Sequence, residues 1–250
     1  MSPNAPAWLT ARPIAHRGLH DRAGGVPENR LAAAEAAIHG RYAIECDVQR
    51  SSDGEAMVFH DETLGRLTSA VDAVGARRAA DLAALTVAGS PERIPTLPEF
   101  LARIGGRTPL VIEVKSRYGG DLRLMQRVAE CVAAYDGPVA VKSFDPQLVA
   151  ALRDLLPGIP RGIVAETRQD DPAYAALLPS LRRSLSDLLH FGETRPDFLS
   201  WRVDDLPCAP TVLCRLLGHR PVMAWTVRNP DQRRLAGTHA DQMVFEGFHP

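Results

Sequence analysis

Along the whole chain, segments rich in Val, Ile and Leu alternate with helix-length segments rich in Ala, Leu and Arg, and this alternation restricts the fold more than any other feature. Strand-forming runs separated by enough residues for a helix imply parallel pairing, which places the chain in the α/β class. Candidate strands fall at residues 13–16, 43–48, 56–59, 109–115, 139–143, 162–165, 197–203, 222–226 and 242–245, one more than a (β/α)8 barrel uses. The supernumerary run is 56–59. It follows the second strand through only QRSSDGE, which has no room for a crossover helix and contains the turn pair Asp53-Gly54. Read as an excursion hairpin, it leaves eight strands and predicts a TIM-like (β/α)8 barrel. The first helix is expected in ENRLAAAEAAIHG, with Asn29 as its cap and Gly40 at its end. Residues 63–97 are too polar and irregular for one crossover helix, so they are expected to form a small insertion at the C-terminal face of the barrel.

The chain has 250 residues, 45% of them apolar, enough for one sizeable core and hence a single domain over 1–250. Its 29 basic and 30 acidic residues leave a net charge of -1. No broad field therefore favours nucleic acid or an anionic membrane, and any phosphate binding must be local. No apolar run is long enough to span a bilayer, and the opening MSPNAPAWLTARP lacks a secretory pattern, so a cytoplasmic protein without stable membrane insertion is expected. Cys46, Cys131, Cys208 and Cys214 show no metal-ligand spacing and read as reduced packing thiols.

Strand tips are where barrel enzymes keep their chemistry. In AIECDVQR, Glu45 and Asp47 lie two apart and so project from one face of a strand; in LVIEVKS, Glu113 and Lys115 repeat the device. In a barrel that face is the interior. Three carboxylates gathered there would repel one another unless protonated or neutralised by a cation. Without thiolates beside them, they suit a hard divalent ion, Mg²⁺ or Ca²⁺. His16-Arg17 and His60-Asp61 also fall at strand ends. Any one of these pairs alone would read as an ion-paired turn or a surface alternation; what distinguishes them is their common placement. The remaining histidines, His20, His39, His190, His219, His239 and His249, lack that context and read as surface or capping residues.

Taken together, HRG at 16–18, PEN at 27–29, ECD at 45–47, SDGEAMVFHD at 52–61 and EVK at 113–115 resemble the glycerophosphodiester phosphodiesterase family, GDPD. IPTLPEFL from Ile94, SFDPQLVAALRDLLPGIPRG from Ser143 and AWTVRNP from Ala224 extend the likeness over nearly the whole chain. The resemblance implies a TIM-like barrel that hydrolyses glycerophosphodiesters to glycerol 3-phosphate and an alcohol with a divalent metal. It implies Glu45, Asp47 and Glu113 as metal ligands, His16 and His60 as acid and base, and Arg17 and Lys115 as phosphate contacts. One departure is MVFEGFHP near the end, where the family often has an aspartate; the role of Glu246 stays open.

The residue chemistry suits those roles. Arg17 offers paired planar donors to phosphate oxygens and Lys115 a point charge. Histidine titrates near neutrality, so two can divide proton transfer. Gly18 would let the backbone approach the substrate. Trp225 could wall the glycerol or head group, or simply pack in the core, and Glu28 could brace Arg17 or His16. No serine, threonine or cysteine of these motifs adjoins a histidine, so the substrate's own neighbouring hydroxyl is the expected nucleophile, with metal-bound water as the alternative. Competing readings are a lysophospholipase D-like enzyme on single-chain lipids, with ARRAADLAALTVAG as a weak candidate for lipid contact, and a catalytically silent phosphate-binding barrel. A metal-assisted enolising barrel would not explain both histidines. The expected partner is thus a small-molecule glycerophosphodiester, with the head group and oligomeric state left open.

Overall fold

The computed structural model describes residues 5–87, 89–170 and 172–250. All nine expected strands are present, with ends within two residues of expectation: β1 (Ile14–Ala15), β2 (Ala43–Arg50), β3 (Ala56–Val58), β4 (Leu110–Val114), β5 (Val139–Ser143), β6 (Arg161–Ala165), β7 (Phe198–Arg202), β8 (Val222–Val227) and β9 (Gln242–Phe245). Eight of them pair in parallel in the order β1-β9-β8-β7-β6-β5-β4-β2, and β1 also pairs with β2, closing the barrel. β3 runs antiparallel to the distal half of β2, with Val48 opposite Val58, as the short QRSSDGE connection requires.

Helices α1 (Leu31–His39), α2 (Ala79–Ala83), α3 (Leu97–Ile104), α4 (Arg123–Ala133), α5 (Pro146–Leu155), α6 (Pro179–Ser186), α7 (Phe191–Thr194), α8 (Ala209–Leu216) and α9 (Pro230–His239) surround the strands. Local chemistry starts several of them. Thr96 and Glu99 form a capping box at α3, Asp145 caps α5 by accepting from the Gln147 amide at 2.9 Å, and Asn229 caps α9 by accepting from the Gln232 amide at 2.9 Å. α1 departs from expectation: its cap position is Arg30, with no side-chain cap, because Asn29 is engaged elsewhere. Gly40 does end α1, but with φ -72; the left-handed residue is Arg41, at φ 61.

Side-chain alternation along the strands builds two layers inside the barrel. The lower is apolar: Ile14, Ala43, Val111, Ala140, Phe198, Met223 and Val244 pack together, with Leu9 packed in the same cluster. Gly162 belongs to this layer because a Cβ there would lie 2.3 Å from the Phe198 ring. Residues of the opposite parity, such as Ile44, Cys46, Ile112, Val141 and Trp201, pack in the larger core that includes the surrounding helices. Two positions further along the inward face of most strands, the layer becomes polar and contains His16, Glu45, Glu113, Lys142, Ser200 and Glu246.

Residues 63–97 hold short bridges, Thr63 with Ala73 and Thr86 with Arg93, around a local apolar cluster of Met57, Phe59, Leu64, Leu67, Val74, Leu82, Val87 and Ile94. Leu82 and Val87 of ARRAADLAALTVAG are therefore buried in this cluster. The four cysteines are free thiols, Cys46 and Cys131 buried and the other two half-buried.

Candidate active site

A cavity of about 720 Å³ opens at the carboxyl ends of the barrel strands, lined among others by His16, Arg17, Asp47, His60, Glu113, Lys115, Lys142 and Trp225. Glu45 and Asp47 stand on β2 and Glu113 on β4, adjacent through the Asp47–Glu113 register pair. One carboxylate oxygen from each of the three lies within 4.8 Å of the others, and all three residues are buried. The sequence-expected cluster is thus brought together.

Its charge is balanced in a way the sequence reading did not foresee. Nζ of Lys115 is 2.8 Å from Asp47 Oδ1 and also contacts Glu113 Oε1. Nζ of Lys142 lies 3.1 Å from Glu45 Oε1 and 3.2 Å from Glu113 Oε2, while Arg17 Nε lies 3.3 Å from Asp47 Oδ2. Three carboxylates thus meet three cations of the chain itself. Burial alone would raise the pKa of Glu113, but Lys115 and Lys142 outweigh it and hold it at about 2. The same contest keeps Asp47 well below the usual carboxylate range, with Lys115, His60 and Arg17 overcoming burial. Electrostatic repulsion therefore does not by itself demand a metal, and the fit to one rests on the donors. All are carboxylate oxygens, buried and within 4.8 Å of one another, and such a donor set suits a hard divalent cation.

Asn29, at φ 58, donates from Nδ2 to Asp47 Oδ2 at 2.9 Å and accepts from the Asp47 amide at 3.2 Å, fixing that carboxylate rather than capping α1. Next to it Arg30 is fully buried and bonds the carbonyls of Asn29 and Val58, tying the start of α1 to β3; burial pushes its pKa down to about 10. Arg17, at φ 57, donates its amide to Glu45 Oε2 at 3.1 Å and its Nη1 to Glu28 Oε1 at 2.6 Å. Gly18, at φ 78, is needed for packing: a Cβ there would lie 2.8 Å from Cβ of Ala33 in α1.

The two histidines share one arrangement. Nδ1 of His16 donates to Glu246 Oε2 at 2.5 Å and Nδ1 of His60 to Asp61 Oδ1 at 2.7 Å. Both carboxylates are held ionised: burial would raise their pKa values, but the His16 bond at Glu246 and the His60 and Arg66 bonds at Asp61 push them far down, so each can only accept. Each imidazole is left with Nε2 as its second functional nitrogen. Glu246 also accepts from Arg228 Nε at 2.5 Å, and His20 Nε2 lies 3.5 Å from it, so His20 borders the site instead of being a remote surface residue. His190 holds the cap position at the start of α7 without a side-chain cap and is buried, not at the surface.

Arg66, from the 63–97 segment, joins the two halves of the site. It bonds Asp61 at 2.6 and 3.1 Å and Glu28 at 2.7 and 2.9 Å. Burial would raise Glu28, but Arg66 and Arg17 hold it at about 2. Trp225 lines the cavity, donates to the Ser200 carbonyl at 3.0 Å and meets Phe144 edge-to-face with centroids 5.6 Å apart. The sequence reading missed Asn29 as a partner of Asp47, Lys142 and Arg66. Lys142 carried a signal, since Ala140-x-Lys142-x-Phe144 follows the same inward parity as Val111-x-Glu113-x-Lys115.

A closed parallel barrel with a ring of ionisable side chains at the carboxyl ends of its strands is the architecture of a TIM-barrel enzyme. This chain belongs to the glycerophosphoryl diester phosphodiesterase family, a family of hydrolases, whose sequence model matches residues 16–185. A glycerophosphodiester phosphodiesterase of Caldanaerobacter subterraneus is 32% identical over 177 residues, covering 66% of this chain and 70% of that one. In structure the chain is similar to an Oleispira antarctica phosphodiesterase solved with its product sn-glycerol-3-phosphate, with TM-score 0.75 and 24% identity over 93% of this chain and 91% of that one. It is also similar to a Thermotoga maritima glycerophosphodiester phosphodiesterase, with TM-score 0.69 and 23% identity over 93% and 92%. Among the described residues, no helix is long and apolar enough to cross a membrane.

Proposed function

We propose that the chain hydrolyses small glycerophosphodiesters to glycerol 3-phosphate and an alcohol by substrate-assisted, two-step acid/base catalysis. The observation that carries this reading is the pair of histidines bordering one cavity, each anchored through Nδ1 to a carboxylate, beside Arg17 and Lys115. One histidine takes the proton of the glycerol hydroxyl next to the esterified carbon, and that oxygen attacks phosphorus. The other histidine protonates the departing alcohol as its bond to phosphorus breaks. A five-membered cyclic phosphate results. In the second step a water, deprotonated by one histidine, opens the ring to glycerol 3-phosphate while the other returns a proton to the glycerol oxygen. Arg17 and Lys115 neutralise the phosphoryl oxygens, and holding the hydroxyl beside phosphorus gains a large effective concentration.

Glu45, Asp47 and Glu113 would hold a divalent cation, Mg²⁺ or Ca²⁺, whose bound charge would polarise the phosphoryl group. The product found with the Oleispira enzyme supports the choice of substrate class. Burial of Leu82 and Val87 supports soluble diesters over single-chain lipids, because the stretch that could have met an acyl chain is engaged in its own core. The paired histidines argue against a silent binding barrel, and a cytoplasmic location is in keeping with soluble substrates. Measuring glycerol 3-phosphate release from a panel of deacylated diesters and lysophospholipids tests this: the diesters should be turned over faster, and a preference for the lysolipids would favour the lysophospholipase D-like alternative.

A further inference from the structure

The two lysines of the carboxylate cluster are placed unequally. Lys115 follows the end of β4, borders the cavity and keeps its side chain 18% exposed, so it can follow a phosphate. The Lys142 side chain is only 3% exposed and is fixed by strand register beside Glu113, with Glu45 on its other side. Asp47 has its own partners in Lys115, Asn29 and Arg17, so the charge of Lys142 serves the Glu45 and Glu113 side of the cluster. These are two of the three oxygen donors that would hold a divalent cation.

We propose that Lys142 is a built-in counter-ion that sets the affinity of the Glu45, Asp47 and Glu113 cluster for its divalent cation and keeps the barrel stable when that cation is absent. This rests on the reading of the cluster as a cation site. Two effects follow from one charge. A dication entering between Glu45 and Glu113 meets a fixed positive group within contact distance of both, which weakens its binding. Without the dication, the same group keeps Glu45 Oε1 from standing buried and unpaired and shares Glu113 with Lys115, which avoids the costly arrangement of an uncompensated charge in a barrel interior.

Calorimetric titration of chelator-stripped protein with Mg²⁺ and Ca²⁺, combined with thermal melts with and without saturating metal, tests the proposal. Lys142→Met should bind the metal more tightly than the wild type, on the order of tenfold or more. The stripped wild type should melt within a few degrees of its loaded form, whereas stripped Lys142→Met should melt at least about 5 °C below its loaded form. Lys142→Gln, which removes the charge but retains an amide donor, should shift the same way and serves if the methionine variant does not fold without metal. Equal affinity in wild type and variant, or a wild type that unfolds on stripping, overturns the proposal. If neither wild type nor variant takes up either metal, the cation-site reading fails, and this proposal with it.

Discussion

Oε2 of Glu246 accepts a hydrogen bond from Nδ1 of His16 across 2.5 Å, joining the ends of the first and last barrel strands over 230 residues of sequence. It orients the imidazole and fixes its tautomer, with Nε2 left as the second nitrogen. Glu246→Gln can present an amide donor to Nδ1 and so favours the opposite tautomer. This variant should keep the wild-type melting temperature within a few degrees and lose roughly 100-fold in kcat with little change in KM. Steady-state kinetics decide, and an unchanged kcat would remove Glu246 from the account.

Replacing either His16 or His60 by alanine should lower kcat by roughly two to four orders of magnitude, with a smaller effect on KM. A variant that keeps kcat and raises only KM identifies that histidine as a binding residue.

Chelation should abolish turnover and Mg²⁺ or Ca²⁺ should restore it, while Glu45→Ala should lose metal uptake and turnover together. Calorimetry beside a coupled glycerol 3-phosphate assay makes the comparison. Full activity after exhaustive chelation would contradict the metal assignment.

Acid should weaken the fold in two windows. Burial holds the His190 imidazole at about 4, whereas the unfolded chain titrates near 6.5. Between these values only the unfolded chain gains the proton, so stability is full above about pH 6.5 and falls, by roughly 3 kcal/mol in all, as the pH drops toward 4. Glu28 and Glu113, held at about 2, contribute stability that is present above about pH 4.5 and lost as the pH falls through 2. Urea melts across pH should show both windows. His190→Leu should flatten only the upper one, and an unaltered pH profile would contradict the assignment.

Gly18→Ala tests the entry to the site. A Cβ at φ 78 and 2.8 Å from Ala33 forces strain or displacement of α1, so stability should fall by about 2–4 kcal/mol, or roughly 5–10 °C in melting temperature. A melting temperature equal to wild type would contradict the close-packing explanation.

The barrel was legible because parallel strands separated by crossover helices leave a repeating pattern, and the hairpin because its connection is too short for a helix. Glu45, Asp47 and Glu113 were legible because alternation along a strand fixes their face. Lys142 obeys the same alternation but has no acidic partner nearby in sequence, so its meaning emerges only from the β4–β5 register. The partnerships of Glu246 with His16 and of Arg66 with Glu28 span 230 and 38 residues and depend on barrel closure and on the 63–97 segment, which no local pattern specifies. Asn29 misled for a physical reason: the residue type that caps helices can equally satisfy a buried carboxylate.

The central claim is that the substrate supplies its own nucleophile, and single-turnover comparison of a glycerophosphodiester with its analogue lacking the neighbouring hydroxyl tests it most directly. The account predicts that the analogue binds through Arg17 and Lys115 yet is cleaved at least about a thousandfold more slowly, because the intramolecular attack is gone. Comparable cleavage of the two would contradict it and point to direct attack by water.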